Sequence, residues 1–172
     1  MASTIWFTGI PGSGKTTLAS ILVKFFRAAG SKAELLDGDE IRSLVGATGF
    51  SREDRRRNVL SAAYTALLLN RNGISVAAAF VSPHAEARAE ARRLIGRGFV
   101  EIFVDCPLAV CVERDPKGLY KKSMEGRIKD LTGVDDPYER PVSPDLVLRT
   151  DLETSEKSAG RVASYLKENG LL

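Results

Sequence analysis

Apolar positions along the chain follow two alternating patterns. Short continuous runs occur at Thr4-Ile5-Trp6-Phe7-Thr8, Ala33-Glu34-Leu35-Leu36, Ile74 to Val81, Phe99 to Asp105 and Leu146-Val147-Leu148. Runs of that length, apolar on both faces, predict buried parallel strands. Between them lie longer stretches with helical spacing. Thr17 to Arg27 places Leu18, Ile21, Leu22, Phe25 and Phe26 on one face, and Gly30 stops it. After a loop at 46–49, Ser51 reads as an N-cap with Asp54 in the first turn. The helix that follows runs to Arg71, burying Val59, Leu60, Ala63, Leu67 and Leu68, and Asn72-Gly73 turns out of it. His84 to Arg97, Pro107 to Arg114 and Ser155 to Glu168 read as three more helices. Strands alternating with helices predict an α/β three-layer sandwich: a five-stranded parallel sheet with helices on both faces.

One stretch breaks the alternation. Residues 115–136 lack a clear apolar period but carry Lys117, Lys121, Lys122, Arg127 and Lys129, punctuated by Gly118, Gly126 and Gly133. A connection of that length in a compact domain is usually functional. Opposite an anion site it reads as a basic lid.

The anion site is Gly9-Ile10-Pro11-Gly12-Ser13-Gly14-Lys15-Thr16-Thr17, which fits G-x-x-x-x-G-K-[ST] and sits between a strand and a helix. Glycines let successive N–H groups face one anion, and the helix N-terminus adds partial positive charge. Lys15 is expected to reach the β- and γ-phosphates of ATP, and the Thr16 hydroxyl to bind Mg²⁺. The fold class is therefore of the P-loop NTPase type. At the end of the second strand, Asp37-Gly38-Asp39 puts two carboxylates near the phosphates. They either orient Mg²⁺ and accept a proton, or form a turn and cap the next helix; the local pattern favours neither. Arg52, Arg55, Arg56 and Arg57 crowd the start of the second predicted helix, mostly as a solvated face, with Arg55 and Asn58 one turn apart.

Composition bounds the rest. The 172 residues, 44% hydrophobic, suit one domain over 1–172. A net charge of +3 does not call for nucleic acid. Two cysteines in C-x4-C spacing and one histidine point to a reduced, cytoplasmic setting and argue against a structural zinc site. No apolar run approaches the ~20 residues of a membrane span, and the chain enters a strand at once, which leaves no room for a signal peptide.

Together these motifs resemble the adenylylsulfate kinases (APS kinases), which phosphorylate the 3′-hydroxyl of adenosine 5′-phosphosulfate (APS). Beyond the phosphate loop, the resemblance is carried by Leu36-Asp37-Gly38-Asp39-x-Ile41-Arg42, by Gly49-Phe50-Ser51 with Asp54-Arg55 and Asn58, and by Ala79-Phe80-Val81-Ser82-Pro83. Val104-Asp105-Cys106-Pro107-Leu108, Arg114 to Lys122 and Thr132 to Glu139 complete it, and RDPKGLYKK is its most specific stretch. The resemblance implies ATP and Mg²⁺ as cofactors, with Arg114 beside the nucleotide. It implies that Arg42, Arg55 and Asn58 bind substrate, Phe50 stacks on its adenine, Val81 and Ser82 line its pocket, and Lys117, Gly118 and Leu119 close over it. Ser82 also matches a serine sometimes credited with a phosphoserine intermediate; direct in-line transfer makes a hydrogen-bonding role the expectation. Asp39 is expected to orient the acceptor hydroxyl and take its proton, with Asp37 or Asp39 holding Mg²⁺. Two positions depart from the family pattern. Leu131 stands where a second aromatic clamp of the purine is usual, and His84-Ala85 where Tyr-Arg is. The expected partner is a small-molecule substrate, not nucleic acid or a membrane, and a homodimer is left open. The rivals are a kinase of the same fold acting on another small anionic metabolite, and a nucleotide switch. The Asn-Lys-x-Asp motif of GTP switches does not occur.

Overall fold

In the computed structural model, which describes residues 2–44 and 49–172, five parallel strands form one sheet. They are β1 (Thr4–Thr8), β2 (Ala33–Asp37), β3 (Ser75–Ala79), β4 (Phe99–Asp105) and β5 (Leu146–Arg149), in the spatial order β2-β3-β1-β4-β5. The helices are α1 (Lys15–Ala28), α2 (Gly38–Leu44), α3 (Arg52–Arg71), α4 (Ala85–Ile95), α5 (Leu108–Arg114), α6 (Leu119–Met124) and α7 (Ser155–Glu168).

Alternation along each central strand explains the layers, because successive side chains leave on opposite faces. Ile5 and Phe7 of β1, with Ala77 and Ala79 of β3 and Ile102 and Val104 of β4, meet Leu18, Leu22 and Phe26 of α1 and Val162 and Leu166 of α7. Trp6, Val76 and Ala78 face the other way, onto Val59, Ala62, Ala63 and Ala66 of α3 and Ala87 and Ala91 of α4. The alanine-rich β3 leaves room for Trp6, whose indole stacks on Phe80 with centroids 5.0 Å apart. Glu101 breaks the apolar pattern of β4, but Arg88 Nε donates to its carboxylate at 2.8 Å, so the buried charge is paired.

The predicted elements are found, with local differences. Phe25 and Leu68 are each 41% exposed, because α1 turns Leu18, Leu22 and Phe26 to the sheet and α3 turns Val59, Ala62, Ala63 and Ala66. Segment 115–136 contains a short helix, α6, whose first N–H groups are capped: Asp115 accepts from Tyr120 N and Lys121 N at 3.2 and 2.9 Å. Of the loop expected at 46–49, only Gly49 lies within the described residues. α3 starts as expected, in a capping box between Ser51 and Asp54. No helix of the described residues is long and apolar enough to cross a membrane. The C-terminal ends of β1, β2 and β3 converge on one side, where an open α/β sheet binds its ligands.

Candidate active site

β1 ends at Thr8 and α1 begins at Lys15, so residues 9–14 turn over the sheet edge. Gly9 has φ 155°, and a Cβ there would lie 2.6 Å from the Val104 carbonyl of β4. Only glycine lets the loop pass that close. Gly14 is the N-cap of α1 and has no side chain to satisfy the helix's first N–H groups, which stay available to an anion.

Lys15 is buried, and its Nζ donates to the Ile10 carbonyl at 2.8 Å and to Ser13 Oγ at 3.4 Å. Burial lowers its pKa from 10.5 to about 8, partly offset by the charge of Asp39. Phosphate oxygens beside Nζ would favour the charged form and raise that value again. Nucleotide binding above about pH 8 must therefore take up a proton, and affinity must fall as pH rises, by up to about tenfold per unit. Calorimetric titration with ADP at pH 8.5, in two buffers of different ionisation enthalpy, is expected to show that uptake.

The carboxylates of Asp37 and Asp39 divide their work. Asp37, at the end of β2, is buried; its Oδ1 accepts from the N–H groups of Asp39 and Glu40 at 2.9 and 3.3 Å and so caps α2. Its Oδ2 accepts from Thr16 Oγ1 at 2.6 Å. The side chain of Asp39 is 67% exposed, and its Oδ2 meets Lys117 Nζ at 2.5 Å across a cleft of about 740 Å³. Magnesium prefers hard oxygens and keeps waters and substrate phosphates among its ligands. A hydroxyl and a carboxylate side by side at the phosphate loop suit it. The described residues hold no group of three or more His, Cys, Asp or Glu that could cage a metal.

Outside the lining of this cleft is an aromatic and cationic corner. Phe50 is 48% exposed, with the guanidinium of Arg42 4.7 Å and that of Arg55 5.6 Å from its ring centroid. Arg42 also donates to the Gly49 carbonyl at 3.0 Å, and burial, then the charge of Arg55, pull its pKa below the ordinary value. Two crowded cations favour an anion between them. Asn58 Nδ2 is buried with no hydrogen-bond partner among the described residues. A buried orphan donor is costly unless a ligand accepts from it.

A sequence profile of the adenylylsulphate kinase family matches residues 1–149. An adenylyl-sulfate kinase of Rippkaea orientalis is 49% identical over 170 residues, covering 98% of this chain and 93% of the relative. Another, from Picosynechococcus sp., is 48% identical and covers 98% of this chain and 96% of its own. A solved structure of the Mycobacterium tuberculosis APS kinase CysC in complex with AMPPNP and APS superposes with a TM-score of 0.92 at 41% identity, over 96% of this chain and 98% of that one. The chain belongs to the adenylylsulphate kinase family.

The residues that the family pattern points to fall into two sets. Gly12, Gly14, Lys15, Thr16, Thr17, Asp37, Asp39, Val81, Arg114, Lys117 and Leu119 line the cleft. Gly9, Ser13, Arg42, Phe50, Arg55, Asn58, Gly118, Ser82 and Leu131 are not on its wall. Gly9 and Ser13 shape the loop, and Gly118 (φ 63°) caps α6. Arg55 is buried, with Nε and one terminal nitrogen engaged: it donates to the carbonyls of Phe50 and Asp130 at 3.0 and 2.7 Å and pairs with Asp136 at 3.0 Å. In this state it ties α3 to the lid.

Two residues of the adenylylsulphate kinase pattern are engaged inside the fold. Ser82 is buried at φ 38°; its Oγ accepts from Trp6 Nε1 at 3.1 Å and donates to Thr8 Oγ1 at 2.9 Å. That hydroxyl joins the ends of β1 and β3. Leu131 is buried with Cys106, Cys111 and Tyr120. Leu131→Phe is therefore expected to overpack this cluster by about 1–3 kcal/mol, lowering the melting temperature by roughly 2–10 °C with no gain in APS affinity. Thermal melts and APS titrations of one sample check both halves.

Thr150, Glu153 and Thr154 of the cleft escaped the sequence reading, and Tyr120 entered it only as part of the RDPKGLYKK stretch. Tyr120 looks like an ordinary apolar position of a lid. Thr150 stands just past the C-terminal end of β5, and that placement was the available signal.

Proposed function

We propose that this chain transfers the γ-phosphoryl group of ATP to the 3′-hydroxyl of APS, giving ADP and 3′-phosphoadenosine 5′-phosphosulfate (PAPS), in the cytoplasm. The observation that carries the proposal is the near-complete superposition on a kinase that holds both AMPPNP and APS. The cleft supports it: the phosphate loop, the cations Arg114 and Lys117 and the exposed carboxylate of Asp39 share one wall, and Phe50 with Arg42 lies outside it. The cytoplasmic placement is supported by two free, buried cysteines.

Phosphoryl transfer asks for positioning and charge neutralisation more than covalent chemistry. Lys15 and the N–H groups of the loop hold the β- and γ-phosphates. Thr16 and Asp37 would hold Mg²⁺, which supplies positive charge between those phosphates. Asp37 has spent one oxygen on capping α2, so Asp39 is the carboxylate left to orient the 3′-hydroxyl and accept its proton. Arg42 and Lys117 face the phosphosulfate, with Phe50 against the purine and Asn58 Nδ2 free to donate to the substrate. Residues 115–136 act as the lid, whose closure excludes water that would hydrolyse ATP.

Acceptor profiling tests the reading. With Mg²⁺ and ATP present, APS is expected to accelerate ADP release, whereas AMP, shikimate and gluconate leave it near the background rate. Acceleration by one of the others, without acceleration by APS, would assign this chain a different acceptor.

A further inference from the structure

A phosphate loop must point its N–H groups inward, so its carbonyls have to be held outward. Two side chains do this here, and Lys15 holds a third carbonyl from the phosphate side. Lys15 Nζ donates to the Ile10 carbonyl at 2.8 Å, the Tyr120 hydroxyl to the Pro11 carbonyl at 2.7 Å, and Thr150 Oγ1 to the Ser13 carbonyl at 2.8 Å. The first of these carbonyls precedes a proline and aims no N–H. The other two precede glycines. In a planar trans peptide, the carbonyl and the next N–H point to opposite sides. Holding the Pro11 carbonyl therefore aims the Gly12 N–H, and holding the Ser13 carbonyl aims the Gly14 N–H. Gly12 and Gly14 stand at φ 76° and 100°. Glycine accepts either sign of φ, so these peptide planes resist flipping least.

We infer that Tyr120 and Thr150 are positioning residues for the nucleotide phosphates, which lock the Pro11–Gly12 and Ser13–Gly14 peptides with both glycine N–H groups facing the anion site. Both lie outside the phosphate-loop motif. Tyr120 comes from α6 in the lid and is fully buried against Cys106, Cys111 and Leu131, so packing fixes where its hydroxyl sits. Burial also raises its pKa above the ordinary value, which keeps the hydroxyl a donor at neutral pH. Thr150 is held in turn by Arg114, whose guanidinium donates to its carbonyl at 2.5 Å and to its Oγ1 at 3.5 Å. Lid position and loop geometry are thereby coupled: withdrawing α6 releases the Gly12 N–H and loosens the phosphates.

Tyr120→Phe and Thr150→Val each remove one hydroxyl and keep the shape. Each is expected to weaken ADP binding by about two- to twelvefold, the range for one neutral hydrogen bond. Adenosine, which has no phosphate, should bind each variant as it binds wild type. Thr150→Ser keeps the hydroxyl and should restore ADP affinity. Should Tyr120→Phe fail to fold, the two Thr150 variants make the same test alone. Variants that bind ADP as wild type does, even with lowered melting temperatures, would overturn the inference, as would equal weakening of ADP and adenosine. The inference rests on the nucleotide half of the proposed function and not on the acceptor. A wild-type protein that does not bind ADP would overturn that reading itself, whereas equal binding by wild type and variants overturns only the role of these two side chains.

Discussion

Replacing Lys15 with alanine is expected to leave a folded protein whose phosphoryl transfer is slower by roughly a hundredfold or more, the cost of one missing charge contact in the transition state. Folding should survive because the ammonium is not part of the apolar core. Its burial is unfavourable to the charged form, as the lowered pKa near 8 records, so truncation also removes that penalty. What is lost is the hydrogen bond to the Ile10 carbonyl and the charge beside the phosphates. A loss confined to ATP affinity, with kcat intact, would mean that Lys15 binds the ground state and the transition state equally. Steady-state kinetics with both substrates varied, beside a thermal melt, separates these outcomes.

Asp39→Asn is expected to lower kcat by about a hundredfold, within the range for a general base, and to move ATP affinity much less. An amide keeps the shape of the side chain but cannot take a proton. It also breaks the ion pair with Lys117. With the two side chains 67% and 51% exposed, that pair adds little stability, so the melting point should change by no more than a degree or two. Asp37→Asn should behave differently. Its carboxylate caps α2 and accepts from Thr16, so the amide should disturb folding and the Mg²⁺ requirement together. If Asp39→Asn turns over normally and Asp37→Asn does not, the two roles are reversed.

The sheet was legible because its strands are apolar on both faces and its helices on one. That contrast is a property of the chain itself, and it located each strand to within two residues at either end. The phosphate loop was legible for a similar reason, since Gly9 and Gly12 answer to backbone geometry that no other residue fits. The loop's outer frame was not legible. Tyr120 and Thr150 lie 109 and 137 residues from the carbonyls they hold, and no local pattern links either one to the loop. Leu131 and Ser82 are the converse case. Each occupies a position with a family role, but burial and hydrogen bonding decide what the side chain does here. Leu131 fills the space under the lid, and Ser82 joins two strand ends. Arg55 lies between these cases: the helical spacing from Asn58 was right, but its contact with the Asp130 carbonyl of the lid depends on the tertiary fold.

The most direct test of the central claim is to incubate the protein with Mg²⁺, ATP and APS and to weigh the products. The account predicts that APS gains one phosphoryl group at the 3′ position, to give PAPS, with one ADP formed for each. Consumption of ATP with APS recovered unchanged would contradict it.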